Sequence, residues 1–301
     1  MKLLITGAWD CSETQLTAIR SMGNDVVFMQ REEDILPCPA AEIEGVVCNA
    51  LFLYHDIADF KNLKYIQLTS AGLDRVPMDY IKSHGIVIHN ARGVYSVPMA
   101  EFAVSGVLQL YKQSKFFYEN QKFKKWEKRR DLLELYGKTV LIIGCGSVGT
   151  ECAKRFKAFD CRVIGVDLFP YENEYFSEMS GLNDLDEKLS QADVVVLTLP
   201  LTEETQGLFG TTRFEKMKTG AVLVNISRGA IVDESALLNA LDKQLFGAVL
   251  DVFEEEPLSK NSALWGKGNV IITPHNSFVG ERNNERLVIS ILNNLHYFED
   301  Q

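Results

Sequence analysis

Residues Val140-Leu141-Ile142-Ile143 form a short apolar run rich in β-branched side chains, and the run breaks directly into Gly144-Cys145-Gly146-Ser147-Val148-Gly149. Cys152, Ala153, Phe156 and Phe159 then follow at helical spacing. Strand, glycine turn and helix in that order predict the unit that holds a dinucleotide. Gly144 permits the turn, Gly146 lets a diphosphate approach the backbone, and Gly149 lets the helix pack close to the strand. The anion then sits at the helix N-terminus. A second apolar run, residues 162–166, ends in Asp167, where a carboxylate is expected to bind both ribose hydroxyls of NAD. Leu168 and Phe169 come next, with no nearby arginine to accept a 2′-phosphate, so NAD is expected as the cofactor.

The rest of the chain is arranged around this unit. Its 301 residues suggest about two domains. Strands are expected at residues 2–6, 25–29, 45–49, 64–68 and 86–89, with a capping box of Ser12 and Gln15 opening the first helix. These make a smaller, flavodoxin-like α/β domain with a mostly parallel sheet. Its strands end in two polar loops, residues 49–54 and 69–72. Val97-Pro98 starts a long apolar helix, and the basic, aromatic stretch 112–130 follows as a subunit-contact arm. Further on, apolar runs at 139–143, 162–166, 193–197, 221–225, 246–250 and 270–272 supply the six strands of a doubly wound parallel sheet, a Rossmann domain. A closing amphipathic helix, 282–298, is expected to return to the first domain. The expected division is therefore 1–93 with 276–301 for a discontinuous substrate domain, and 94–275 for the dinucleotide-binding domain.

Composition removes several classes of partner. With 46% hydrophobic and 24% charged residues the chain reads as an ordinary soluble protein. A net charge of -10 opposes a nucleic-acid partner. No apolar stretch is long enough to span a membrane, and Asp10 and Glu13 follow the first apolar run where an export signal needs a cleavage site. The six cysteines show neither C-x-x-C nor metal-ligand spacing with histidine, so reduced thiols, no metal and a cytoplasmic location are expected.

Each of the six strands of the larger domain is followed at once by a polar or special group: Gly144, Asp167, Thr198-Leu199-Pro200, Ser227-Arg228-Gly229, Asp251 and Pro274-His275. Parallel strands place all of these on one carboxyl edge, where ligands bind. Arg228 offers a planar fork for a carboxylate or a carbonyl gaining charge. His275 is able to give or take a proton near neutral pH, and Glu256, a few residues past Asp251, is placed to partner it.

With these residues in view, the chain resembles the D-isomer-specific 2-hydroxyacid dehydrogenase family over essentially its full length. The resemblance is carried by the glycine turn, Leu199-Pro200-Leu201-Thr202 with Thr205, Asn225-Ile226-Ser227-Arg228-Gly229, residues 250–258 (Leu250 to Leu258) and Thr273-Pro274-His275. It implies Arg228, Glu256 and His275 as the catalytic set, and Ser70, Ala71 and Gly72 as the loop for the substrate carboxylate. It also implies cofactor contacts at Gly144, Gly146, Ser147, Val148, Gly149, Asp167, Thr198, Leu199, Pro200, Thr205, Ile226, Ser227 and Asp251. The implied reaction is reduction of a 2-oxo acid to a D-2-hydroxy acid by NADH, reversibly, with His275 as proton donor, in a homodimer joined through the cofactor domain. Phe52 or Tyr54 is expected near the substrate side chain, with Arg92 as a site for a second anion. Two alternatives stay open: an NAD(H)-sensing corepressor-like binding protein on the same scaffold, and a phosphoglycerate- or glyoxylate-type reductase using NADPH.

Overall fold

The computed structural model describes residues 1–299. The chain divides into two compact units, Met1–Tyr95 together with the residues from Gly280 on, and Ser96–Val279. The second junction lies past residue 276 because the Asn276 and Ser277 amides donate to Asp251, which belongs to the second unit.

The first unit contains β1 (Lys2–Thr6), α1 (Glu13–Ser21), β2 (Asp25–Met29), β3 (Gly45–Cys48), β4 (Tyr65–Leu68), α2 (Met78–Ser83) and β5 (Val87–His89). Its five strands are all parallel, in the order β2-β1-β3-β4-β5. The central strands are apolar on both faces, as a covered parallel sheet requires, and Leu3, Leu4, Ile5, Val46 and Val47 are fully buried. The capping box forms as expected, with Ser12 N–H donating to Gln15 Oε1 at 2.8 Å and Gln15 N–H to Ser12 Oγ at 3.3 Å. A C-terminal helix, Asn283–Glu299, covers one face of this sheet. Its Leu287, Ile291 and Leu295 recur at helical spacing and pack against Leu3, Ile5, Trp9 and Val47. Each such burial contributes about 1.5–3 kcal/mol, so packing rather than helix propensity secures this element.

The second unit runs through α3 (Ser96–Tyr111), α4 (Ser114–Lys122), β6 (Thr139–Ile143), α5 (Ser147–Ala158), β7 (Arg162–Val166), β8 (Glu178–Ser180), α6 (Leu185–Gln191), β9 (Val194–Leu197), α7 (Thr211–Lys216), β10 (Val222–Asn225), α8 (Glu234–Lys243), β11 (Gly247–Leu250) and β12 (Val270–Ile272). Seven parallel strands form one sheet, β12-β11-β10-β9-β6-β7-β8. Its order reverses between β6 and β9, the switch point of a doubly wound fold. β8 is an addition to the six strands expected. It is short, polar and half-buried, and is held by pairing with β7 and by Glu178, which bridges Lys188 at 2.5 Å and Arg162 at 2.9 Å. No apolar period marks such an edge. Among the described residues no helix is long and apolar enough to cross a membrane.

α3 lies directly on the sheet at Gly106, where a Cβ would come within 2.5 Å of Val249 Cγ1 on β11. Gly106→Ala is expected to overpack this contact and cost about 1–3 kcal/mol. Thermal unfolding checks it: a lower Tm is expected, and an unchanged Tm would mean that the helix has room to shift.

Candidate active site

Because all seven strands of the second unit are parallel, the groups that end them share one edge. Gly144 ends β6 with φ +93, a left-handed value suited to glycine. A Cβ there would come within 2.8 Å of Leu199 N, so the two loops at the switch point pass backbone against backbone. Thr198 closes this approach, its hydroxyl donating to Gly144 O at 2.5 Å. At Gly149 a Cβ would meet Gly144 O at 2.2 Å, which fixes the start of α5 against the turn.

Gly146 caps α5 without a side chain, and a Cβ there would meet nothing within 4 Å. No side chain at the cap therefore stands over the first turn of α5, which suits a diphosphate at this helix N-terminus. Asp167, half-buried at the end of β7, is fixed by accepting Cys145 N–H at 2.6 Å and Phe169 N–H at 3.0 Å. The turn, the helix end and the carboxylate fit a dinucleotide. Cys145 fills the turn from inside: burial, with Asp167 nearby, pushes its thiol up to about 12, so it is a spacer and not a nucleophile.

The loop after β12 is organised by a residue on the neighbouring strand. Asp251 has no exposed surface. Its Oδ1 accepts Thr273 Oγ1 at 2.6 Å and Asn276 N–H at 2.8 Å, and its Oδ2 accepts Ser277 N–H at 2.9 Å. His275 stands inside this bracket with φ 51, a left-handed conformation, and its own N–H is bonded to Asp251 O at 2.8 Å. A non-glycine residue holds such a conformation only where its surroundings impose it.

The imidazole is partly exposed, and His275 Nδ1 lies 2.8 Å from Glu256 Oε2. The other carboxylate oxygen, Oε1, accepts Phe253 N–H at 3.0 Å, so both oxygens of Glu256 are committed. A carboxylate accepts only, which makes Nδ1 the donor and leaves Nε2 without a hydrogen-bond partner among the described residues. Arg228 follows β10, its chain half-buried and its Nη1 donating to Ser227 O at 2.8 Å. Next to it, Gly229 packs on the 253–254 backbone so tightly that a Cβ would fall 1.8 Å from Phe253 C. The arginine turn and the glutamate loop are thus one packed structure. Asn225 completes it, with Nδ2 donating to Arg228 O and Oδ1 accepting Ser227 N–H and Oγ–H.

Other expected cofactor residues have structural duties. Ile226 is buried in the sheet core, and Asp251 is closed off as described, so neither side chain offers a ligand surface here. Ser227 is turned to Asn225, and the Thr205 hydroxyl staples its loop by donating to Pro200 O at 2.7 Å. Ser147, Val148, Leu199 and Pro200 stay at the switch point between α5 and the end of β9. Among the described residues no three His, Cys, Asp or Glu side chains are grouped to hold a metal ion.

In the first unit, Ser70, Ala71 and Gly72 follow β4, and none of their three N–H groups has an acceptor among the described residues. On the loop after β3, Tyr54 is 58% exposed, whereas Phe52 turns inward to pack edge-on against Phe60 with centroids 5.6 Å apart. That loop is held by a residue with no signal in the sequence. The buried Glu32 carboxylate accepts the Asn49 and Ala50 amides at 2.7 and 2.6 Å and the Thr6 hydroxyl at 2.8 Å.

Comparison with known proteins adds to this geometry. The sequence profile described as "D-isomer specific 2-hydroxyacid dehydrogenase, NAD binding domain" matches residues 104–277. A D-3-phosphoglycerate dehydrogenase from Archaeoglobus fulgidus is 36% identical over 91% of this chain, which spans 53% of that relative, about half its length. An (S)-sulfolactate dehydrogenase from Chromohalobacter salexigens is 33% identical over 77% of this chain and 76% of its own. Among solved structures, a D-isomer specific 2-hydroxyacid dehydrogenase family protein from Aeromonas salmonicida is similar with a TM-score of 0.82 and 31% identity, covering 100% of this chain and 96% of that one.

The bracket around His275 is open to a direct test. In Asp251→Asn an amide N–H₂ group faces one or more of the three donors, leaving polar groups unsatisfied at about 1–3 kcal/mol. A lower Tm and faster hydrogen exchange at the Asn276 and Ser277 amides are expected. Unchanged exchange there would show that the loop is held by something else.

Proposed function

The chain belongs to the D-isomer specific 2-hydroxyacid dehydrogenase family, and from that premise we propose that it reduces a small 2-oxo acid to the D-2-hydroxy acid, reversibly and with NADH. The observation that carries this reading is the pairing of His275 Nδ1 with Glu256, which leaves Nε2 as the nitrogen able to deliver a proton. The glycine turn and the N-terminus of α5 hold the diphosphate, and Asp167 takes the ribose hydroxyls, where its charge opposes a 2′-phosphate. When bound, the dinucleotide supplies the hydride that reduces C2 of the acid.

The remaining work falls to side chains of this protein. Arg228 binds the substrate through its guanidinium fork and draws charge toward the carbonyl oxygen. His275, protonated, gives its Nε2 proton to that oxygen as it becomes a hydroxyl, and takes a proton back in the oxidative direction. Glu256 orients the ring by accepting from Nδ1. Ser70, Ala71 and Gly72 are assigned to the substrate carboxylate through their N–H groups, and Tyr54 to the substrate side chain. Arg92 suits a second anionic group on the acid. Assembly as a homodimer through the cofactor domain is supported by the exposed aromatic side chains of the arm, with Tyr118 66%, Phe123 61% and Trp126 95% exposed.

Two substitutions test the proton path. His275→Ala is expected to lower kcat by about 10²–10⁴-fold with the Kd of NADH unchanged, and equal loss of both would contradict the assignment. In Glu256→Gln the side chain is able to donate as well as accept, so it no longer fixes Nδ1 as the donor. A lower kcat with the Kd of NADH unchanged is therefore expected. An unchanged kcat would make Glu256 structural only.

A further inference from the structure

We propose that Asn90 and Tyr95 are positioning residues that aim the N–H groups of Ser70, Ala71 and Gly72 at the substrate carboxylate. This rests on the assignment of that loop to the carboxylate, and it identifies what makes the loop competent. In a trans peptide the C=O of one residue and the N–H of the next point in opposite directions. The carbonyl of Thr69 accepts the Tyr95 hydroxyl, that of Ser70 accepts Ala91 N–H at 2.9 Å, and that of Ala71 accepts Asn90 Nδ2 at 2.6 Å. All three donors come from the single segment 90–95. Three consecutive carbonyls therefore face that segment, and the three N–H groups on the far sides of the same peptides face away from it. Adjacent N–H groups turned to one side make an anion-binding concavity, and these three have no acceptor among the described residues.

The donors are themselves fixed. Asn90 Oδ1 accepts Arg92 N–H at 3.2 Å, which orients the carboxamide so that its nitrogen faces Ala71. The segment is anchored by buried Ala91 and Val94, and Val94 O accepts Arg286 Nε at 2.6 Å from the C-terminal helix. Burial raises the Tyr95 phenol above its ordinary range, so it remains a donor at any pH at which the protein works. Neither side chain reaches the substrate in this account. Each acts by holding a peptide plane, and without it the plane is free to rotate and present a carbonyl oxygen to an anion.

Tyr95→Phe and Asn90→Ala each remove one tie. With NADH bound, the Kd of oxamate, an unreactive 2-oxo-acid mimic, and the KM of glyoxylate are expected to rise about three- to tenfold per tie, as one lost hydrogen bond allows. The Kd of NADH should stay at the wild-type value and kcat should change less than KM. Amide resonances of Ser70, Ala71 and Gly72 in the ¹⁵N-labelled, NADH-loaded protein separate the two ways of failing. If oxamate shifts them in the wild-type chain but binds both variants with unchanged affinity, the loop takes the carboxylate and the positioning proposal is wrong. If oxamate leaves them unshifted in the wild-type chain, the loop assignment fails and the proposal falls with it.

Discussion

Asp251 sits fully buried at the end of β11, and its two carboxylate oxygens accept three donors from residues 273–277. A buried charge is tolerated only when its lone pairs are filled, and here the filling donors all lie on the loop that carries His275. The loop cannot relax without exposing the charge to unmet desolvation. That constraint holds His275 in a left-handed conformation it would not choose alone. Glu256 then selects which ring nitrogen points outward. His275 is thus placed by two carboxylates, one fixing the backbone and one fixing the ring.

Close backbone approaches do for the rest of the site what Asp251 does for the histidine. Gly144 against Leu199 brings the turn after β6 to the loop after β9, and Gly229 against Phe253 brings Arg228 to the loop that carries Glu256. In both places a side chain would separate the elements. The parallel sheet supplies a common edge, and the glycines let the loops on that edge touch. In the first unit the same economy appears in another form, where Glu32 fixes one loop through its carboxylate and the 90–95 segment fixes the other by its three donors.

Much of this arrangement is legible in the sequence. Strand-end groups are legible because parallel strands share one carboxyl edge, and Gly144, Asp167, Arg228 and His275 do follow the ends of their strands. The capping box at Ser12 was legible because its partners are three residues apart. Illegible features have partners distant in sequence or lack a pattern. Nothing local reveals that the partners of Asp251 lie at 273–277. Glu32 is one of three consecutive acids, Glu32-Glu33-Asp34, and nothing local singles it out, because its bonds to Asn49 and Ala50 exist only once the sheet has formed. β8 carries no apolar period to detect, and the edge-on packing of half-buried Phe52 against Phe60 has no local signal either.

The central claim is that Glu256 fixes the ring of His275 with Nδ1 as the inward donor and Nε2 as the nitrogen that exchanges protons with substrate. ¹⁵N NMR of the imidazole in the NADH-loaded protein, at a pH where the ring is neutral, measures this directly. The account predicts a protonated Nδ1 and a bare Nε2, the reverse of the tautomer a free histidine prefers. A proton found on Nε2, with Nδ1 bare, would contradict it.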